Sequence, residues 1–133
     1  MSENNYIQKD QENLEHASND ACIFCKIVRG EISAEKVLEG DSFIAIKDAN
    51  PLVEGHTLII PKQHWVTLLD LPNKFGNEIL GFIKKVANNL MDSGVADGFN
   101  VVMNNLEVAG QVVKHAHIHI IPRKEGDGIK LVG

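Results

Sequence analysis

Near its C-terminal end the chain reads Lys114-His115-Ala116-His117-Ile118-His119-Ile120-Ile121-Pro122, and this run limits the fold more than any other segment. In a strand successive side chains point to opposite faces. His115, His117 and His119 then share one face at steps of roughly 6.5–7 Å. Lys114, Ala116, Ile118 and Ile120 take the other, and the last three belong against a core. On a helix the three imidazoles would splay around the axis. The spacing therefore predicts a strand over Val112 to Pro122, with an apolar side and a chemically equipped side. Neutral imidazole is a nucleophile and proton acceptor near pH 7, and imidazolium is a donor and a cation. A row of them can attack phosphorus, hold phosphate oxygens and move a leaving-group proton. His-x-His on a strand can also chelate zinc. A surface strand that merely happens to be rich in histidine is the bland alternative. Three of the chain's six histidines alternating beside an apolar face argue against it.

Upstream, Cys22 to Val28 is short and apolar, one or two helical turns. Val37 to Glu39 and Phe43 to Lys47 read as strands joined at Gly40-Asp41, a hairpin signal. Asn50-Pro51 and Glu54-Gly55 punctuate the following loop, and His56 to Pro61 is a third strand. One long helix runs from Pro72, suited to a first turn, to Gly94, suited to the position past the end. Its Phe75, Ile79, Phe82, Ile83, Val86 and Leu90 recur at three- and four-residue steps and make one apolar face. Gly76 and Gly81 weaken it. Phe99 to Met103 is a further strand, and Asn104 to Gly110 a loop. Closely spaced strands with a single long helix predict an α+β domain on an antiparallel sheet, because a doubly wound fold alternates strands with helices.

The 133 residues suit one domain over 21–133, preceded by a polar, loosely attached arm over 1–20. A net charge of −5 argues against a general nucleic-acid surface, which shows a basic stripe, but leaves room for a local phosphate site. No apolar run is long enough to span a bilayer, and Met1 to Asp20 has no signal-peptide pattern. The expectation is a cytoplasmic protein. Cys22 and Cys25, the only cysteines, are too few for a disulfide framework, and their C-x-x-C spacing points to metal or redox chemistry.

The run Gly110-Gln111-Val112-Val113-Lys114-His115-Ala116-His117-Ile118-His119-Ile120-Ile121-Pro122-Arg123 resembles the signature of the histidine-triad (HIT) family. A second segment, Asp48-Ala49-Asn50-Pro51 through Gly55-His56-Thr57-Leu58-Ile59-Ile60-Pro61-Lys62 to His64, resembles its nucleoside-binding region. The likeness extends from Cys22 to Arg123. It implies a HIT-like fold, with about five antiparallel strands, a long helix and a short N-terminal helix, usually assembled as a homodimer. It also implies nucleotidyl transfer or hydrolysis at the α-phosphate of a small purine nucleotide through a covalent nucleotidyl-histidine. By position, His117 corresponds to the nucleophile, His119 to a phosphate-binding and leaving-group residue, and His56 to a histidine that orients the nucleophile. Asp48 corresponds to a ribose-binding carboxylate, with Phe43, Ile46 and Ala49 walling the base. Asn104 falls near the ribose and phosphate, and Gln111 in the loop around the α-phosphate. Taken singly, Asp48 and Asn104 could simply open turns, and His56 could be a satisfied buried histidine.

The resemblance further implies a structural zinc site in some members, completed by a histidine after the Ile-Pro-Lys strand and by the first histidine of the triad. Here the set is Cys22, Cys25, His64 and His115, leaving His117 and His119 for phosphate; zinc is not required for the chemistry. Two departures bear on leaving-group choice. Val112 stands where the phosphoramidate-cleaving branch carries Ser and the diadenosine-polyphosphate branch Thr, and the tail after Arg123 lacks a Trp-Pro-Pro-Gly ending. The competing functional classes are a nucleotide-binding scaffold with incidental hydrolysis and a metalloenzyme using all three histidines around a catalytic metal.

Overall fold

A computed structural model of the chain describes residues 21–131; the arm expected over 1–20 lies outside them. The described elements are α1 (Ile23–Val28), β1 (Lys36–Glu39), β2 (Phe43–Lys47), β3 (Thr57–Pro61), α2 (Gly76–Asp92), β4 (Gly98–Val102) and β5 (Ile118–Arg123), with 3-10 turns at Leu68–Asp70, Asn73–Phe75 and Glu107–Ala109. The five strands form one antiparallel sheet in the order β1-β2-β3-β5-β4. This is the expected α+β arrangement.

Both faces of the sheet are covered, which is why β2 and β3 are continuous apolar runs rather than alternating ones. On one face Phe43, Ala45, Ile59, Ile118 and Ile120 pack beneath Phe82 and Val86 of α2. On the other, Ile44, Ile46, Leu58 and Ile60 pack beneath Phe24 and Ile27 of α1 and the two cysteines. Each of these large side chains stabilises the fold by roughly 1.5–3 kcal/mol through burial. The same parity corrects one expectation. Phe43 and Ile46 are three residues apart in β2 and so face opposite ways. Phe43 is fully buried under α2, so only Ile46 lies on the face that carries His119, through the register Ile46–Leu58–His119.

The apolar stripe of α2 docks as its periodicity requires, with Phe75, Ile79, Ile83 and Leu90 packed around the buried pair. The helix starts later than expected. Pro72 is extended (φ −63°, ψ 139°) and caps the 3-10 turn Asn73–Phe75, and the α-helix begins at Gly76. Gly94 follows the end at φ +79°, the left-handed conformation that glycine enters without strain. Gly55 is required on two grounds. Its φ is +92°, and a Cβ there would lie 2.8 Å from Val95 Cγ1. This turn delivers His56 to the mouth of β3.

The last strand is shorter than the alternation predicts. β5 begins at Ile118, and its ladder with β3 ends where Ile118 faces Ile59. Continuing it would bring the chain alongside Pro61, which has no N–H to donate. The Pro61 carbonyl instead accepts from the His115 ring at 2.9 Å, and Ala116 N–H donates to Trp65 O at 2.6 Å. No helix among the described residues is long and apolar enough to cross a membrane.

Candidate active site and metal centre

Because the ladder stops at Ile118, the three histidines do not form a uniform row. His119 stands in β5, His117 just before it, and His115 is drawn into a separate cluster. Ala116, Ile118 and Ile120 are buried on the other side as expected. The triad therefore splits into two sites that share a peptide.

The first site is built around His117, which is buried. Its Nδ1–H donates to the His115 carbonyl at 2.7 Å. That bond fixes the proton on Nδ1 and leaves a lone pair on Nε2. Burial pushes the pKa of His117 below the ordinary histidine value, helped by the neighbouring His115, while the bond to the His115 carbonyl opposes the shift. The ring therefore favours the neutral imidazole. Phe24 sits edge-on to it, with ring centroids 5.0 Å apart, and also contacts His115 at 5.9 Å. Phe24 is a contact the sequence reading missed. Its only signal was its place between the two cysteines.

The His119 ring lies edge-on to His117, with centroids 5.1 Å apart, and a chain of hydrogen bonds sets its tautomer. Leu52 N–H donates to His56 Nδ1 at 3.1 Å, so the His56 proton resides on Nε2. That atom lies 3.0 Å from His119 Nδ1 and 3.4 Å from an Asp48 carboxylate oxygen. His119 Nδ1 accepts, which places the His119 proton on Nε2 as a donor. Burial, then the neighbouring His117 and His56, bring the pKa of His119 down to about 4, with Asp48 pulling the other way. Burial likewise lowers His56. His56 thus hydrogen-bonds to His119 and not, as expected, to His117. The two are diagonal neighbours on one face of the β3–β5 pair, whereas His117 lies beyond the ladder and takes its orientation from the main chain. Asp48, His56 and His119 place their donor atoms within 4.8 Å of one another. The proton that Leu52 fixes on His56 Nε2 faces into this group, which makes it a hydrogen-bonded relay and a poor metal cage.

Asp48 also opens a turn, accepting from Asn50 N–H at 2.9 Å, and Ala49 is exposed beside it. Asn104 is half-buried at the end of β4, with its amide 3.6 Å from where a Cβ on Gly110 would lie. Gln111 departs from expectation. It is buried, and its amide makes three protein hydrogen bonds, to Leu106 N–H, Val66 O and Val113 O. Its amide is taken up by the protein's own backbone. Val112 is 90% exposed.

The second site gathers all four residues assigned to metal. Cys22 Sγ lies 3.3 Å and Cys25 Sγ 3.5 Å from His115 Nδ1, and His64 Nδ1 is 3.1 Å from both Cys25 Sγ and His115 Nδ1. His115 Nε2–H donates to Pro61 O, so Nδ1 turns a bare lone pair toward the sulfurs and His64. A tetrahedron with bonds of 2.0–2.3 Å has edges of about 3.3–3.8 Å, and the four donor atoms lie within 4.8 Å of one another. The residues fit zinc. Burial opposes ionisation of Cys22, but hydrogen bonds from His115, His64 and Cys25 outweigh it and lower the thiol's pKa. Burial and the neighbouring Cys22 raise Cys25.

Known proteins resemble this chain in sequence and fold. The HIT domain profile matches residues 29–126. The adenylylsulfatase HINT3 of Arabidopsis thaliana is 45% identical over 106 residues, covering 80% of this chain; the chain spans about half (54%) of that protein. The adenosine 5'-monophosphoramidase HNT1 of Candida albicans is 40% identical, covering 82% of this chain and 74% of that one. Among solved structures, a zinc-bound histidine triad protein from Mycobacterium smegmatis superposes with a TM-score of 0.78 at 38% identity, covering 83% and 80% of the two chains. The chain belongs to the HIT family.

Proposed function

We propose that the protein hydrolyses a small adenine nucleotide at its α-phosphate, or transfers the nucleotidyl group, through a nucleotidyl-His117 intermediate. The observation that carries this reading is the pair of hydrogen-bond patterns, His117 Nδ1 on the His115 carbonyl and His119 Nδ1 on His56 Nε2, which leave a bare Nε2 on His117 and put the proton on Nε2 of His119. His117 Nε2 attacks phosphorus and forms the P–N bond as the bond to the leaving group breaks. The leaving amine or oxyanion takes the proton from His119 Nε2 as His119 Nδ1 gains one from solvent, so the ring stays a neutral imidazole. A water then attacks the nucleotidyl-histidine, His119 Nε2 accepts its proton as Nδ1 releases one, the P–N bond breaks, and the nucleoside monophosphate departs from neutral His117. The relay through His56 and Leu52 keeps His119 in the donating tautomer at the start of each cycle. Ile46 and Asp48, on the same face, are suited to the base and the ribose diol. Relatives that act on adenosine phosphoramidate and on an adenylylated sulfate support an adenylyl substrate.

Zinc held by Cys22, Cys25, His64 and His115 would supply a structural cross-link between α1 and the sheet. A homodimer would use the outer edge of β4, where Phe99 and Val101 are 43% and 48% exposed. Steady-state kinetics with adenosine phosphoramidate test the chemistry. Replacing His117 by Ala should abolish turnover while AMP binding survives. Persistent turnover would remove His117 from the nucleophile's role.

A further inference from the structure

Gln111 closes a six-residue loop whose shape is strained. Leu106 has φ +73° and ψ 159° and is the one non-glycine residue with positive φ among the described residues. That region is essentially reserved for glycine and is held only where surrounding bonds over-determine it. Here they do. Leu106 N–H donates to Gln111 Oε1 at 2.7 Å, and Gln111 N–H donates back to Leu106 O at 3.1 Å. Gln111 thus grips both polar groups of the strained residue, as a strand partner would. Its Nε2 then donates to Val66 O at 2.6 Å and to Val113 O at 3.1 Å. Val66 and Trp65 anchor the approach to the nucleophile, through these bonds and through Ala116 N–H to Trp65 O. The segment between β4 and β5 is therefore clamped where it has no ladder, and Gln111 is the side chain that ties Leu106 to Val66 and Val113.

We propose that Gln111 is a positioning residue, which touches no substrate, holds the Leu106–Gln111 loop in its strained form, and through Val66 steadies the approach to His117. The assignment of a reaction at His117 rests on the function proposed above; the brace itself does not. The decisive test is a double-variant cycle. Gln111→Ala should lower kcat/KM for adenosine phosphoramidate by about a hundredfold, the scale of an ångström-level displacement near a reacting centre. Leu106→Gly takes up φ +73° without strain. Alone it should leave kcat/KM within about threefold of wild type, and placed in Gln111→Ala it should recover about tenfold. A Gln111 that bound phosphate directly would not be rescued from Leu106. Absence of rescue, or wild-type activity in Gln111→Ala, overturns the proposal. Hydrogen exchange at the Leu106 amide separates this from failure of the functional reading. It should accelerate about a hundredfold or more in Gln111→Ala, the loss of one buried tether, even if the wild type forms no intermediate. Unchanged exchange there overturns the brace.

Discussion

His119 should make the protein acid-sensitive in a way that one substitution removes. The unfolded chain titrates this histidine near 6.5, whereas the folded site holds it near 4, chiefly by burial and then by His117 and His56. Below pH 6.5 the unfolded state takes up a proton that the folded state refuses, so stability falls as the pH drops from 6.5 and levels off below 4. Above 6.5 the group contributes no pH dependence. At pH 5, one and a half decades below 6.5, the loss is about 2 kcal/mol; solvent screening at a half-buried ring trims it to about 1–1.5 kcal/mol. At about 3 °C per kcal/mol for a domain of this size, that is roughly 4 °C. The perturbation is His119→Gln, which keeps a polar contact toward His56 but does not titrate. Melting is followed at pH 7.5 and 5.0 with a chelator present, so that metal release does not enter the difference. Wild type should lose about 4 °C more than His119→Gln between the two conditions. Equal losses would refute the reasoning, because they would mean that His119 protonates in the folded site as readily as in water.

Other expectations follow from the packing and from the metal cluster. Zinc at a thousandfold excess over its dissociation constant stabilises by about 4 kcal/mol, so chelation should lower Tm by ~10 °C, and Cys22→Ser should abolish that response; an unchanged melt on chelation would count against zinc at this site. Ile120 is fully buried between the sheet and α2, so Ile120→Ala should destabilise by about 3 kcal/mol in urea unfolding, whereas a loss below ~1 kcal/mol would deny it a core position. A charge on the edge strand β4, as in Phe99→Glu, should shift the protein toward monomer in sedimentation velocity, and an unchanged dimer would place the interface elsewhere.

What could be read from the residues, and what could not, follows from the range of the forces involved. The apolar stripe of α2 and the runs in β2 and β3 are local patterns, and each predicted its element. The metal set was legible by position, through Cys22, Cys25, His64 and His115. The end of β5 was not, because it depends on Pro61 facing the chain from another strand and leaving it without a donor. The alternation of three histidines therefore predicted more strand than forms, whereas the parting of His115 from His117 and His119 was already implied by the family resemblance. The partner of His56 was hidden for a related reason. Position in a motif does not say which of two rings lies diagonal across a ladder. Gln111 was assigned to the phosphate because it lies in the loop, and only the neighbouring carbonyls of Val66 and Val113 show that its amide is already taken.

The covalent intermediate is the core of the proposed mechanism, and intact-protein mass spectrometry after millisecond mixing with adenosine phosphoramidate and acid quench tests it most directly. Wild type should show a transient adenylyl adduct that His117→Ala lacks, and His119→Gln should show it forming more slowly. Turnover by wild type with no adduct at any quench time, or an adduct that persists in His117→Ala, would contradict attack by His117.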